Sequence, residues 1–240
     1  SILSQTFKNW ELVFWDNNST DKSKKIFSSF KDKRFKYYKS KRLLKLYHAR
    51  NLAITKAKGK YICFLDVDDL WTKNKIKEQM SFFSNNRDVM IVYSNYYVLN
   101  ENKKEKKIKI KSDFLPSGFI TQKLVNNYNV GILTVMCKKK IFQNLNFKKE
   151  YNIIGDFDFI IRASIKYKIG CIQKSLAYYR LHSSNFSNNL RMQIYELQSW
   201  IKTNQQLLKK SSISIQEVKK EIIKLTIKNY IKIIGRVVQW

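Results

Sequence analysis

The sequence is poor in the residues that punctuate a chain, with 6 Gly and 1 Pro in 240 positions. That excludes collagen-like and Pro/Gly-rich low-complexity architectures. Cysteine and histidine are scarce as well. Cys63, Cys137 and Cys171 lie far apart inside apolar runs, which reads as buried thiols in a reducing compartment and not as a disulfide frame. The two histidines, His48 and His182, weigh against an all-protein zinc cage.

No stretch approaches the roughly 20 apolar residues that a bilayer-spanning helix needs. Ser1 to Trp10 lacks the basic start and apolar core of a secretory signal. The expectation is a cytoplasmic protein, with peripheral attachment at the inner face of the membrane left open. Acidic residues are also few: 18 Asp and Glu stand against 47 Lys and Arg, for a net charge of +29. Such a surface attracts phosphate-bearing partners. Lysine is nonetheless spread along the whole chain, together with abundant Asn, Ile, Phe, Tyr and Ser. That pattern fits A/T-rich codon drift better than a dedicated patch. A nucleic-acid-binding protein would explain the charge and the aromatics, yet no binding motif or basic aromatic platform is present. No nucleic-acid partner is expected.

What the chain has is 44% hydrophobic and 14% aromatic content, enough for a folded core. Strand-like and helix-like runs alternate. Glu11 to Trp15 and Phe35 to Lys39 read as short strands, with a helix from Thr20 or Asp21 to Ser29 between them. Leu44 to Lys58 reads as a helix stopped by Gly59. The apolar Tyr61 to Leu65 reads as a strand buried on both faces, followed by a helix from Thr72 or Asn74 to Asn85 and a strand over Val89 to Tyr93. Val98 to Lys111 suggests a hairpin around the charged turn Glu101 to Glu105. Further on come a helix over Ser117 to Asn127, a strand over Ile132 to Cys137, a helix over Ile154 to Tyr167 and a strand over Cys171 to Tyr179. This alternation implies an α/β protein with a mainly parallel sheet flanked by helices. From Asn189 onward two helices remain, Leu190 to Lys210 and a basic amphipathic one from Ser214. The best boundary is near Asn188, giving a domain over 1–188 and a helical C-terminal extension over 189–240.

Acidic clusters fall at the ends of these elements: Asp16, Asp21, Asp66 with Asp68 and Asp69, and Asp156 with Asp158. In open α/β sheets ligands bind beyond the carboxyl ends of strands. Asp66 and Asp68, one residue apart after a buried strand, suit a hard divalent cation shared with a diphosphate. Capping of the next helix is the plainer alternative. The third carboxylate, Asp69, exceeds what a cap needs and favours the metal.

Taken together, Asp16 to Asp21, Ala49-Arg50-Asn51, Leu65-Asp66-Val67-Asp68-Asp69 after Gly59-Lys60-Tyr61, and Tyr179-Arg180-Leu181-His182 resemble family 2 glycosyltransferases in order and spacing from Ser1 to about Ser187. The resemblance implies the GT-A fold, a Rossmann-like sheet, and an inverting, metal-dependent sugar transfer. It implies a nucleotide-sugar donor (a UDP-sugar favoured), a glycan or lipid-linked acceptor, Mg2+ or Mn2+ as cofactor, and a place in cell-surface polysaccharide synthesis. By position, Asp16 matches a contact to the nucleotide base and Arg50 a residue along the donor site. Asp66 and Asp68 match the Asp-x-Asp pair, with Asp68 holding the metal. Asp156 matches the catalytic base, with Asp158 as the fallback and a further substrate contact. Arg180 and His182 match a segment near the diphosphate.

The chain departs from the family in beginning inside the first helix, at Ser1-Ile2-Leu3-Ser4-Gln5, so the strand expected before it is missing. A catalytically inactive GT-A interaction module is therefore the alternative reading. The Gln-x-x-Arg-Trp motif of processive synthases is absent, which favours single additions. The C-terminal basic helix is a candidate for an anionic membrane surface, for packing on the domain, or for contact with a second copy in a homodimer.

Overall fold

The computed structural model describes residues 1–100, 105–111, 114–183 and 185–237, the side chains of 233–237 excepted. The first half of the chain forms β1 (Leu12–Asp16), α1 (Ser23–Ser29), β2 (Phe35–Lys39), α2 (Leu46–Lys56), β3 (Tyr61–Cys63), β4 (Leu70–Trp71), α3 (Lys75–Asn85) and β5 (Ile91–Asn100). The second half forms β6 (Glu105–Ile108), α4 (Thr121–Asn126), β7 (Met136–Lys138), α5 (Gly155–Lys166), β8 (Ile169–Leu181), α6 (Leu190–Lys210) and α7 (Gln216–Val237).

The α/β architecture with flanking helices is as expected, but the sheet is mixed. Its strands run in the order β3-β7-β5-β8-β4, with β6 paired to β5. Only β1–β2 and β5–β8 are parallel; the other described ladders are antiparallel. Parallel pairing needs a crossover. β6 instead folds back on β5 as a hairpin, and β7 runs opposite to both of its neighbours. Residues 101–104 of the expected charged turn lie outside the described residues. β1 and β2 form a sheet of their own, and no described ladder joins them to β3.

The apolar run at Tyr61 contributes only three residues to the ladder, because Phe64 turns into the core and the chain leaves the sheet to make the acidic loop. β5 outlasts its apolar stretch for the opposite reason. Its buried Asn95 bonds Ile110 O at 2.8 Å and accepts from Tyr96 N, so polar positions continue the strand at low cost. At its start Ile91, Val92 and Tyr93 are fully buried.

One hydrophobic core joins Tyr47, Phe147, Phe157, Phe159 and Ile160 to Leu197, Trp200 and Leu208 of α6 and to Val218 and Leu225 of α7. Residue 188 therefore marks a change of secondary structure and not a gap in packing. Trp200 sits edge-on to Phe157 at 4.8 Å between ring centres. Burying aromatic side chains of this size is worth roughly 1.5–3 kcal/mol each. Among the described residues no helix is long and apolar enough to cross a membrane. Ile233, Ile234 and Val237, read from the sequence as part of the apolar side of α7, lie outside the described side chains.

Candidate active site

The N-termini of α2 and α5 meet, and the site is built on that meeting. α2 has no side-chain cap of its own; the N–H of Leu46 instead donates to Asn152 Oδ1 at 2.9 Å, just ahead of α5. Tyr47 follows, buried at 2% exposure, with its ring close against Gly155 in the first turn of α5. A Cβ at Gly155 would fall 2.2 Å from that ring, so only glycine allows the approach. The Tyr47 hydroxyl donates to Asp156 Oδ1 at 3.0 Å. One turn along α2, the Arg50 guanidinium stands 4.8 Å over the Tyr47 ring and donates through Nη2 to both oxygens of Asp66, at 2.6 and 2.8 Å. Arg50 Nη1 is buried without a hydrogen-bond partner among the described residues.

A second set of contacts laces the acidic loop to the end of β8. Asp69 is buried and accepts the N–H of Arg180 at 3.0 Å, while Arg180 Nε donates to the Asp68 carbonyl. His182 Nε2 lies 2.8 Å from Asp68 Oδ2, and Asn185 Oδ1 accepts the N–H of His182 at 2.7 Å. The aromatic Tyr96 packs edge-on against Tyr179 beside this loop.

The electrostatics follow from burial and charge. Burial pushes the Asp156 carboxyl above its ordinary value, although the Arg50 charge, a helix N–H and Tyr47 pull against it. Burial, reinforced by Asp68 and Asp66, raises Asp69 to about 7 against the pull of the Arg180 N–H. Burial opposes the charge on Arg50, but Asp66 together with Tyr47 and Asp156 outweighs it and holds the guanidinium firmly protonated.

Asp66, Asp68, Arg50, Arg180, His182 and Asp156 are thus gathered at one face, in two groups that share the acidic loop. Asp16 stands apart from these contacts. It ends β1 at 3% exposure and accepts from Ser19 N at 2.6 Å and from the Tyr37 hydroxyl. Burial works against its charge, but those hydrogen bonds keep it below the usual carboxylate range. Asp158 does not fit the substrate-binding or fallback-base role expected of it. Residues two apart on a helix face opposite ways, and Asp158 turns inward with no exposed surface. It is held by Arg162 at 2.5 Å, Trp200 Nε1 at 3.1 Å and Lys148 at 3.5 Å. Sequence reading missed Tyr47 and Asn152 as site residues. The one available signal was Gly155 immediately before Asp156.

A metal is tested by the donors present. Asp68 and His182 offer one carboxylate and one imidazole, each about a third exposed. No three His, Cys, Asp or Glu side chains converge as a cage among the described residues. That set fits magnesium or manganese only as a cation shared with phosphate oxygens and water, which is how magnesium is usually held.

Three comparisons bear on this geometry. The glycosyl transferase family 2 profile matches residues 1–166. The Escherichia coli protein WfgD, a UDP-Glc:alpha-D-GlcNAc-diphosphoundecaprenol beta-1,3-glucosyltransferase, is 34% identical over 148 residues, covering 61% of this chain and 56% of its own. WfaP of Escherichia coli, described by the same reaction, is 32% identical over 200 residues, covering 79% of this chain and 72% of its own. This chain thus spans little more than half of WfgD. Among solved structures, S. aureus TarS 1–349 in complex with UDP-GlcNAc superposes with a TM-score of 0.66 at 17% identity, over 82% of this chain and 60% of that one. At that identity the likeness speaks for the shared GT-A fold. A profile match over most of the chain, two relatives above 30% identity and a common fold converge: the chain belongs to glycosyl transferase family 2.

Proposed function

We propose that this protein moves a sugar, with inversion, from a UDP-sugar to a hydroxyl of a lipid-linked or glycan acceptor in cell-surface polysaccharide synthesis. The observation that carries the reading is Asp156. It is a half-buried carboxyl of raised proton affinity at the start of a helix, joined through Tyr47 and Arg50 to the acidic loop. A carboxylate so placed takes the proton of the acceptor hydroxyl as that oxygen attacks the anomeric carbon. One base and one displacement give inversion. Tyr47 keeps the Asp156 oxygen aimed, and the planar guanidinium of Arg50 is the donor group suited to a phosphate on this side. Asp68 and His182 are the residues that would hold a divalent cation, which when bound supplies Lewis-acid relief of charge on the departing diphosphate. Asp16, at the end of β1, is assigned to the nucleotide base, and Arg180 to the diphosphate side. The donor class and acceptor class are those named for WfgD and WfaP.

Attachment to an anionic membrane belongs to the same reading. α7 buries Val218 and Leu225 against the core, yet a second apolar set points outward: Ile223, Ile227, Tyr230 and Ile231 are 59%, 55%, 62% and 65% exposed. Lys219, Lys220, Lys224 and Lys228 flank it. An apolar stripe edged by lysine suits an interface with anionic lipid.

Calorimetry with UDP, with and without magnesium or manganese, tests the donor side against an Asp68→Ala variant. Metal-dependent UDP binding that the variant loses is expected. Equal binding by both, or none by the folded wild-type chain, would sink the assignment of Asp68.

A further inference from the structure

The family profile ends at residue 166, yet the start of α5 is fixed from beyond it. Glu196 lies in α6 at 4% exposure. One of its carboxylate oxygens accepts the N–H of Asn152 at 2.7 Å. The other accepts those of Ile153 at 2.9 Å and Ile154 at 3.0 Å. These three consecutive donors lead straight into α5 and Asp156. An ionised carboxylate is the natural acceptor for orphan N–H groups at a helix start, but it normally comes from the same segment. Here it comes from a helix that begins 35 residues later.

The loop it holds is the one that organises both sides of the site. Asn152, gripped through its N–H, uses its own side chain to accept the first N–H of α2. Lys45, just before α2, donates to Glu150 O at 2.9 Å. Arg50 projects from α2 and Asp156 from α5. The seam is anchored again one turn further along α6, where Trp200 donates to the buried Asp158.

We infer that Glu196 is a positioning residue for the transfer reaction: by clamping residues 152–154 it sets the first turns of α5 and α2, and so the separation of Asp156 from Arg50. α6 thereby belongs to the catalytic unit. This rests on the function proposed above, and its test is arranged to fail separately.

The variant is Glu196→Gln in the full chain, isosteric but able to accept fewer N–H bonds, with Leu197→Ala as a control that loosens α6 without touching the clamp. With circular dichroism retained, Glu196→Gln should lower kcat by about 10²-fold, the cost of misplacing a reacting group by about an ångström. The donor KM should change much less than kcat, because Arg50 is the one donor-side group that moves with α2, whereas Asp68, His182 and Arg180 are not held by the clamp. Leu197→Ala should lower the melting temperature and leave kcat per folded molecule unchanged. Glu196→Gln with wild-type kcat, or with loss that only tracks the unfolded fraction, would overturn the inference.

Should the wild-type chain transfer no sugar, the function proposal fails and the clamp is read by carbon-13 titration of Asp156. The groups facing it are Tyr47 and Arg50 of α2, with Tyr96 of β5 and Tyr128 nearby. Glu196→Gln should move that titration to lower pH as the carboxyl loses burial; an unmoved titration contradicts the clamp. If Glu196→Gln does not fold, hydrogen exchange in the wild-type protein decides. Slow exchange at the amides of Asn152, Ile153 and Ile154 is expected, and exchange at the rate of an open loop refutes it.

Discussion

The mouth of the site and the seam between α5 and α6 both hold carboxylates against donors, and they hold them differently. In the mouth, Asp66 has one arginine and is 44% exposed; Asp68 has one histidine and is 35% exposed. Asp156 takes one hydroxyl and a helix N–H. In the seam, Asp158 has no exposed surface and faces Arg162, Lys148 and Trp200, while Glu196 accepts three N–H groups. An ionised carboxylate can accept about four hydrogen bonds. The seam fills that capacity and the mouth leaves it open. Open capacity in a partly dry setting is what a substrate hydroxyl, a cation or a diphosphate can use; filled capacity serves only the frame. The two aspartates of Gly155-Asp156-Phe157-Asp158 divide on this line although they sit two residues apart.

The sharpest break of the comparison is Asp156→Asn. If the mouth carries the chemistry, transfer falls by roughly 10²- to 10⁴-fold, the usual worth of a positioned base, while the melting temperature at neutral pH does not fall. The second half follows from linkage. Burial places the folded-state pKa of Asp156 above its unfolded value near 3.9. Stability from this group is therefore full below the unfolded value and is lost as pH rises through the folded one. Activity runs the other way, rising with pH through the same raised pKa. A rate profile of the wild type whose acid limb lies at or below the ordinary aspartate range would assign the base elsewhere.

Asp158→Ala makes the converse test in the seam. It leaves Arg162 and Lys148 beside a buried void, and breaking a buried charged pair this way costs about 3–5 kcal/mol. Urea unfolding should show that loss, and UDP affinity of the molecules that remain folded should be unchanged. A variant of normal stability and altered affinity would move Asp158 back into the mouth.

Gly155→Ala strikes between the two regions. Its new methyl group meets the Tyr47 ring, and overpacking of this kind costs about 1–3 kcal/mol. Because the ring must shift, the hydrogen bond from Tyr47 to Asp156 goes with it. Activity should drop by more than stability alone explains, which parallel activity and melting measurements would show.

The sequence carried the mouth better than the seam, for a physical reason. Motif residues of the mouth lie after a strand end or at a helix start, where the chain turns and short polar side chains collect, so Asp66, Asp68 and Asp156 stand out in an otherwise basic protein. Phe35 to Lys39 and Leu190 to Lys210 were legible to the residue because their patterns are local. The antiparallel entry of β7 and the grip of Glu196 on residues 152–154 depend on partners 40 or more residues away, and no local period reports them. Asp158 was misassigned by that same blindness: nothing in Asp156-Phe157-Asp158 says which carboxylate faces Trp200.

The smallest stability effect is expected where capacity of another kind is left open. The outer face of α7 presents Ile223, Ile227 and Ile231 to solvent while its inner face is packed. Replacing all three by serine removes no buried contact, so each change should alter folding stability by no more than about 0.5 kcal/mol. Isoleucine and serine also differ little in helix propensity. Binding to anionic vesicles at low salt should nevertheless fall sharply in a flotation assay, because the apolar stripe supplies the insertion that the lysines alone do not. Salt then separates the two contributions. Residual binding by the triple variant should vanish at high ionic strength, where exposed charges are screened within a few ångströms, whereas wild-type binding should weaken but persist. Equal flotation of both proteins would make the stripe a passive surface and leave attachment to charge alone.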